Sequence, residues 1–324
     1  MENKKNAASR SQAEKRGGEK APQRNKSNRT YRDEKRVYQP KNGSYGAFDR
    51  KDRFVKEKAE PIKVVENEIN DTESIHGDCE TGAVIGRNAV RELLRSDRSI
   101  DKLMVQRGER TGSIVVLVAE AIERGIPVIE VEKSKLDSMA GYAPHQGVIA
   151  LAAEKEYCTT EDILNIAKER GEAPLIVICD GITDPYNLGA IIRCAECCGA
   201  HGLIIPKRRA VGLTPLVSKA SAGAIEHLAI AKVSNIASTV EQLKKQGIWT
   251  YAAEAGGGSL YETDLRGPCA IVLGSEGNGV SQLVRKTCDA VVSIPMYGKV
   301  NSFNVSTAAA ILLAEVARQH HTEG

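Results

Sequence analysis

The stretch Asp180-Gly-Ile-Thr-Asp-Pro-Tyr-Asn-Leu-Gly-Ala-Ile-Ile-Arg193 decides the fold of this chain. The apolar run Leu175-Ile-Val-Ile-Cys179 precedes it and predicts a buried strand, because such runs suit strands covered on both faces. From Leu188 onward, apolar residues recur with helical spacing. On this interpretation Asn187 is the N-cap residue and Arg193 lies about two turns into the helix. Ligands of α/β sheets bind near the carboxyl ends of strands, so both side chains are candidates for chemistry.

The segments that follow repeat the alternation of strand and helix. Strands are predicted at 202–205, 228–232, 248–253, 269–273 and 290–294, and helices at 213–220, 236–246, 281–288 and after residue 304. A glycine-rich loop, Gly256-Gly257-Gly258, is expected after the strand 248–253. This alternation predicts an α/β domain over residues 174–322.

A shorter α/β pattern lies upstream of that domain. Helices are predicted at 86–94, 114–124 and 133–139, and strands at 102–105, 127–131 and 145–150. We therefore expect a small α/β domain at 81–155, followed by a linker at 156–173 with a helix that ends at Gly171. His145 stands at a loop-to-strand junction, where a structural role is favoured over a chemical one.

The first 80 residues differ in composition from the rest of the chain. The formal net charge of +3 conceals a basic segment, since residues 1–60 contain about 18 Lys and Arg against about 9 Asp and Glu. Few large aliphatic residues occur there, so residues 1–80 are predicted to be disordered. Their charge favours a polyanionic partner, and two interpretations stay open: an RNA-contacting arm with interspersed aromatic rings, or a solvated tail.

The eight cysteines do not predict a secreted disulfide framework in a chain of this length. One CxxC pair, Cys194 and Cys197, falls inside the predicted helix, where packing is favoured over a zinc or redox site, and no metal site is predicted. The sequence has no N-terminal hydrophobic segment and no apolar run near the ~20 residues of a membrane span. We expect a soluble cytoplasmic protein with no membrane partner.

Two further segments carry polar residues that suggest a binding site. Gly274-Ser-Glu-Gly-Asn-Gly279 follows a predicted strand but matches neither a P-loop nor the GxGxxG fingerprint. Glu276 would repel a phosphate, so the loop favours a positive or neutral ligand, or a substrate hydroxyl. Before the terminal helix, either Asn304 or Ser306 would cap the helix. Asn304 is therefore either only a cap or also part of a site.

Together these segments resemble a known family. The patterns D-P-x-N-x-G-x-x-x-R, G-S-E-G and I-P-M…S-x-N-V-S, in this order, resemble the three motifs of the SpoU (TrmH-type) RNA 2'-O-ribose methyltransferases. Gly86-Arg-Asn-Ala-Val and His145-Gln-Gly-Val-Ile-Ala are similar to the L30-like RNA-binding domain that precedes the catalytic domain in the RlmB-type branch, which acts on 23S rRNA.

The resemblance implies a fold, a cofactor and an assembly. It implies a SPOUT α/β fold with a trefoil knot, a homodimer, and S-adenosyl-L-methionine as the cofactor. The reaction would be in-line transfer of a methyl group to a ribose 2'-oxygen of RNA, most similar to methylation of a guanosine in the peptidyl-transferase region of 23S rRNA. Two alternatives are kept: methylation of tRNA ribose, and a non-catalytic RNA-binding scaffold.

The resemblance also assigns residues by their positions in the motifs. Those expected to bind the cofactor, largely through backbone groups, are Leu273, Gly274, Ile294, Pro295, Met296 and Phe303. The family often has Leu in place of Phe303, and we expect no loss of activity from this difference. Those expected to form the reactive site are Asn187, Arg193, Glu276, Ser302 and Asn304.

The role of Arg193 stays open at this point. The family's proposed activator is this arginine, yet a guanidinium holds its proton at ordinary pH. It could instead stabilise the developing alkoxide and orient an RNA phosphate, leaving Glu276 or water to take the proton.

Overall fold

The computed structural model describes residues 81–108 and 112–322. The predicted basic extension, residues 1–80, lies outside the described residues. Two β-sheets divide the described chain into an N-terminal α/β region (residues 83–152) and a C-terminal α/β region (residues 175–321).

The N-terminal α/β region contains a four-stranded mixed sheet. Its strands and helices are β1 (Ala83–Ile85), α1 (Arg87–Arg95), β2 (Ile100–Gln106), α2 (Ser113–Glu123), β3 (Val128–Val131), α3 (Lys133–Met139) and β4 (Val148–Ala152). The strand order is β1-β4-β2-β3, with β2 and β3 parallel and the other pairs antiparallel. Apolar residues of α1 and α2 pack on one face and those of α3 on the other, which agrees with the predicted α/β pattern.

A single helix, α4 (Thr160–Arg170), connects the two regions. The Thr159 hydroxyl accepts from the backbone N–H of Asp162, whose carboxylate accepts from the N–H of Thr159 in return. This reciprocal capping fixes the first turn. The helix ends at Gly171, which has a φ of 68°, as predicted from the sequence.

The C-terminal α/β region is built on a six-stranded parallel sheet. Its elements are β5 (Leu175–Asp180), α5 (Pro185–Cys197), β6 (Gly202–Pro206), α6 (Pro215–Ala220), β7 (Ala229–Val233), α7 (Ile236–Lys245), β8 (Trp249–Ser259), β9 (Cys269–Gly274), α8 (Gln282–Thr287), β10 (Ala290–Ser293) and α9 (Val305–His321). The central strand β5 is buried on both faces: Val177 packs with α5 and α9, and Ile178 packs with α7 and α8. This two-sided burial explains the continuous apolar run in the sequence.

The strand order β10-β8-β9-β5-β6-β7 places a topological switch between β5 and β9. From β5 the chain proceeds through β6 and β7 on one side, whereas β9 and β8 lie on the other. Asp180 at the end of β5 pairs in register with Gly274 at the end of β9. The loops that follow these two strands therefore open into one crevice, where α/β proteins bind their ligands.

Two predictions about local structure are wrong. Asn187 is not the N-cap of α5, because the helix already begins at Pro185 and the Asp184 carboxylate accepts from the N–H groups of Tyr186 and Asn187. Proline suits the first helical position because its missing N–H has no partner there in any case.

The second wrong prediction concerns the glycine-rich segment. Gly256-Gly257-Gly258 is not a loop after β8 but its continuation, and it pairs with β10 across a register shift. A Cβ on Gly257 would lie 2.4 Å from the carbonyl oxygen of Val291. The glycines therefore permit close backbone contact within the sheet rather than a turn.

Direct contacts join the two α/β regions. Arg98 Nη1 lies 2.8 Å from Glu226 Oε1, and the Glu226 side chain is only 1% exposed. His227 Nε2 lies 3.0 Å from Glu92 Oε2, and α6 packs against β1. Within residues 81–108 and 112–322, no helix is both long and apolar enough to cross a lipid bilayer.

Candidate active site

Three polar side chains meet in the crevice beyond β5 and β9. Asn187 Nδ2 donates to Glu276 Oε1 at 2.5 Å, and Asn304 Nδ2 lies 2.8 Å from the same oxygen. Asn304 Nδ2 is also 3.1 Å from Asn187 Oδ1. The three residues come from three separate sequence segments, and we refer to them as the amide–carboxylate cluster.

Local structure fixes the first two members of this cluster. Asn187 is the third residue of α5, and its backbone N–H bonds to Asp184 Oδ2 at 3.0 Å. Its side chain is largely buried. Glu276 lies in a tight loop closed by two backbone hydrogen bonds between Ser275 and Gly279, at 2.9 and 3.1 Å. Both side chains are therefore positioned by segments that follow the carboxyl ends of the strands β5 and β9.

The third member, Asn304, has two functions at once. Its Oδ1 accepts from the N–H of Ser306 at 2.9 Å and from the Ser306 hydroxyl at 2.6 Å, so of the two residues considered as the cap of α9 it is Asn304 that caps the helix. Its Nδ2 donates into the cluster. Because the cap orients the amide, the beginning of α9 determines where the donor points.

A cavity of about 370 Å³ lies on one side of Glu276. Apolar side chains and two carboxylates, those of Glu254 and Glu276, line it, and none of the described lining residues is Lys or Arg. Six residues from the predicted site also line it: Leu273, Gly274, Ile294, Met296, Ser302 and Phe303. Pro295 is half-buried and lies outside that lining. The volume of the cavity is within the range of small-molecule sites, and the negative charge of its lining suits a cationic ligand with an apolar part.

Gly274 keeps this cavity in shape. A Cβ at this position would lie 2.0 Å from the carbonyl carbon of Gly279 and 2.1 Å from the backbone nitrogen of Val280. The backbone of the loop therefore packs directly on the end of β9, which only a residue without a side chain allows.

A second, larger cleft of about 820 Å³ lies on the other side of the cluster. Asn187 and Glu276 line it, together with Arg208 and Arg209 from the loop after β6. Glu276 therefore borders both spaces. A group in the larger cleft and a ligand in the smaller cavity would both be in reach of the same carboxylate.

Arg193 lies apart from this cluster. Six residues after Asn187 on α5, it projects about 120° away around the helix and about 9 Å along it. Its side chain is exposed and lies outside the described lining of both cavities. Among the described residues it has no hydrogen-bond or ion-pair partner.

Two acidic residues of the site were missed in the sequence. Glu254 Oε1 accepts from the N–H of Val280 at 3.1 Å, and its Oε2 pairs with Arg285 at 2.9 Å. Asp180 Oδ2 accepts from the N–H of Ser281 at 2.8 Å. Both carboxylates hold the loop after β9 from neighbouring strands. The position of Asp180 at the end of a predicted strand is a sequence feature that could have identified it as a site residue. No sequence feature identifies Glu254.

His145 has a structural role in the turn before β4, as the sequence predicts. It is buried, and its Nδ1 accepts from the N–H of Gly147 at 3.0 Å. Its Nε2 therefore carries the proton, which it donates to Asp137 Oδ1 at 3.0 Å. The imidazole thus pins the turn before β4.

The cysteines of α5 show no activated thiol. Burial raises the pKa of Cys194, Cys197 and Cys198 above the ordinary value. Within the described part of the chain, no group of His, Cys, Asp or Glu side chains is arranged to hold a metal ion.

Two family models match the chain. The SpoU rRNA Methylase family matches residues 174–314, and the family described as RNA 2'-O ribose methyltransferase substrate binding matches residues 83–158. A putative TrmH family tRNA/rRNA methyltransferase of Bacillus subtilis, YacO, is 44% identical over 242 residues, which cover 74% of this chain and 97% of the relative.

Solved structures show the same fold. The SpoU methyltransferase AviRb from Streptomyces viridochromogenes, in complex with AdoMet, superposes with a TM-score of 0.62 at 25% identity, covering 73% of this chain and 89% of AviRb. A crystal structure of an RNA 2'-O ribose methyltransferase gives a TM-score of 0.61 at 26% identity, with 73% and 88% coverage.

Proposed function

Because the chain belongs to the SpoU (TrmH-type) family of S-adenosylmethionine-dependent RNA 2'-O-methyltransferases, we propose that its target is the ribose of a guanosine in the peptidyl-transferase region of 23S rRNA. The match of residues 83–158 to a substrate-binding family supports an RNA-binding role for the N-terminal α/β region. The choice of 23S rRNA rests on the similarity of that region to the RlmB-type branch.

One observation carries the assignment of the reactive site. The amide–carboxylate cluster lies between the cavity of about 370 Å³ and the larger cleft, and Glu276 borders both. A transfer between two bound molecules needs such a shared boundary, since the reacting atoms must come within about 3–3.5 Å. We assign the smaller cavity to the cofactor and the larger cleft to RNA.

The residues around the smaller cavity fit S-adenosylmethionine. Leu273, Ile294 and Met296 would contact its apolar parts, and the backbone at Gly274 and Phe303 would supply hydrogen bonds. The carboxylates of Glu254 and Glu276 match its positive charge. When bound, the cofactor supplies an electrophilic methyl group.

Glu276 is the group best placed to accept the proton of the ribose 2'-hydroxyl. Its Oε1 is engaged by the amides of Asn187 and Asn304, whereas Oε2 accepts no hydrogen bond from any described residue. The two amides orient the carboxylate, and its free oxygen is available to a hydroxyl in the larger cleft. Ser302 lines the cofactor side, where its hydroxyl would position the reacting groups.

Within its own chain, Arg193 lies outside the described lining of both cavities beside the amide–carboxylate cluster. Its guanidinium has no described partner in its own chain, and several apolar side chains beside the cofactor cavity are exposed, among them Tyr297, Val300 and Phe303. A second copy of the chain would cover such side chains. We propose a homodimer in which Arg193 of the partner subunit stabilises the developing alkoxide or an adjacent phosphate.

Three further expectations remain proposals. The trefoil knot would bring the loop 295–304 against the loop 274–279, consistent with the bonds between Asn304 and Glu276. The domain limits 81–155, 156–173 and 174–322 follow the two sheets. The basic extension 1–80 would contact RNA outside the active site.

The test is a methylation assay with labelled S-adenosylmethionine on unmodified 23S rRNA and, separately, tRNA transcripts. We expect label at one guanosine ribose of 23S rRNA. Asn187→Ala should lose most of it while cofactor binding, measured by calorimetry, persists. Glu276→Gln should also lose most of it and should weaken cofactor binding, because Glu276 lines the cofactor cavity. Label only in tRNA would overturn the proposed substrate but keep the chemistry. Full activity of Glu276→Gln would remove Glu276 as the proton acceptor.

A further inference from the structure

The larger cleft contains a feature that the amide–carboxylate cluster does not explain. Two consecutive arginines, Arg208 and Arg209, line it beside Asn187 and Glu276. We propose that this pair binds a backbone phosphate of the RNA next to the ribose that is methylated. The proposal rests on the proposed function in taking this cleft as the RNA side of the site.

The two guanidinium groups are free to bind a ligand. Both side chains are exposed, and within residues 81–108 and 112–322 neither forms an ion pair or a hydrogen bond with another side chain. A guanidinium offers several N–H donors in a planar fork that matches a phosphate. The guanidinium groups of Arg208 and Arg209 therefore offer many N–H donors to a ligand in the cleft.

Among the described residues, the carboxylates of the same cleft form no ion pair with these arginines. Asp180 accepts from the N–H of Ser281, and Asp184 accepts from the first turn of α5. Glu276 accepts from two side-chain amides. Each acid is thus bound to donors of the protein itself, whereas the arginines have none of these acids as partners. The part of the cleft beside Arg208 and Arg209 therefore favours an anionic group, although carboxylates line the rest of it.

Backbone hydrogen bonds fix the loop that carries the arginines at both ends. The N–H of Lys207 bonds to the carbonyl of Val233 at 2.7 Å. The N–H of Val211 bonds at 3.0 Å to the carbonyl of Ile182, which belongs to the loop leading into α5. Arg209 has a φ of 60°, a backbone conformation that costs free energy in a residue other than glycine. The arginines are therefore held at a set distance from Asn187.

The two spaces beside Glu276 differ in that, among the described residues, only the larger cleft has arginines in its lining. The described lining of the smaller cavity has carboxylates without Lys or Arg, and the larger cleft adds two unpaired arginines. A cationic cofactor and an anionic RNA backbone would each be attracted to one side. This separation places the phosphate on the side from which the ribose approaches.

The experiment compares Arg208→Ala/Arg209→Ala with Arg208→Lys/Arg209→Lys. The control, Arg170→Ala/Lys245→Ala, removes two exposed cations from the carboxyl ends of α4 and α7, outside the described lining of either cavity. Binding to the unmodified 23S rRNA transcript is measured over a series of KCl concentrations, together with methylation kinetics and cofactor affinity.

We expect the alanine pair to lower the slope of log K against log[KCl] by about 0.7–0.9 and to raise the KM for RNA about tenfold, since the pair binds one phosphate and each lost phosphate contact removes about 0.7–0.9 from the slope. The kcat and the affinity for S-adenosylmethionine should change little. The lysine pair should restore most of the slope.

A slope and KM equal to those of the control would overturn the phosphate site. If the alanine pair does not fold, Arg208→Gln and Arg209→Gln are measured singly, and an unchanged slope in both would have the same meaning. If the wild-type protein methylates tRNA but not 23S rRNA, the proposed substrate is wrong, and the same titration on tRNA then decides for or against the arginines.

Discussion

At the scale of single residues, Asn304 shows how one side chain serves stability and chemistry together. Its oxygen caps α9, and its nitrogen holds Glu276 and Asn187. The two alternatives considered for this residue, a cap and a site residue, are therefore not exclusive. Because the two functions use different atoms, substitution can separate them.

Asn304→Ser should keep the cap and remove the amide donor, because a serine hydroxyl also accepts from the N–H groups of a helix start. We expect a thermal unfolding midpoint close to that of the wild type and a large loss of kcat. Asn304→Ala should lose activity as well and cost about 0.5–2 kcal/mol of unfolding free energy. Thermal melts and methylation rates of both variants check this. Retained activity in Asn304→Ser would show that the amide is not needed.

At the scale of elements, the end of β9 and the loop after it act as one unit. The loop packs on Gly274 through backbone atoms, and Glu254 and Asp180 hold its far end. The position of Glu276 therefore depends on a contact that has no side chain in it.

Gly274→Ala tests this contact. The new Cβ would meet backbone atoms near 2 Å, so the loop must shift, and overpacking of this kind costs about 1–3 kcal/mol. We expect a lower urea midpoint and weaker binding of S-adenosylmethionine. Gly277→Ala is the matched control, because nothing lies within 4 Å of a Cβ there. Equal effects of both substitutions would contradict the packing role of Gly274.

The sequence predicted most strands and helices of the C-terminal α/β region because its buried strands are continuous apolar runs. The predictions from the sequence were wrong at positions where a backbone contact, and not the pattern of side chains, determines the local structure. Gly257 looks like a turn residue until Val291 is placed against it. Asn187 looks like a cap until Asp184 is seen to accept from two N–H groups. The meeting of Asn187, Glu276 and Asn304 required the strand order, which no local pattern contains.

At the scale of the whole molecule, a buried ion pair joins the two α/β regions. Arg98 and Glu226 are 2.8 Å apart with side chains 13% and 1% exposed, and Glu226 Oε2 has no hydrogen-bond partner among the described residues. Burial of this pair makes the carboxylate dependent on its arginine.

Arg98→Ala should destabilise the protein by up to about 3–5 kcal/mol, because it removes the ion-pair partner of the buried Glu226 carboxylate and leaves Lys155, which bonds to the Glu226 carbonyl, as the nearby cation. Arg95→Ala is the matched control: its partner Glu92 is 3.3 Å away at an exposed site, where a pair contributes about 0–1 kcal/mol. Urea unfolding of both variants measures the difference. Adding Glu226→Gln to Arg98→Ala should recover part of the loss by removing the charge. Equal urea midpoints for Arg98→Ala and Arg95→Ala would show that the ion pair between Arg98 and Glu226 does not stabilise the contact between the two α/β regions.

The assembly itself is tested by mixing inactive subunits. If Arg193 acts at the cluster of the partner subunit, a heterodimer of Asn187→Ala and Arg193→Ala chains contains one complete site, with the cluster from one chain and the arginine from the other. Coexpression in equal amounts should therefore restore about a quarter of the wild-type activity, as expected for random pairing in a two-fold dimer. Light scattering of the same sample gives the oligomeric state. The double variant Asn187→Ala/Arg193→Ala, coexpressed with wild-type chains, is the control. Its heterodimers contain no complete shared site, so only the wild-type homodimers contribute and about a quarter of the activity is expected, against about half if each site were complete within one chain. A dimer without restored activity would place Arg193 at the cluster of its own chain, and a monomer with full activity would exclude the shared site.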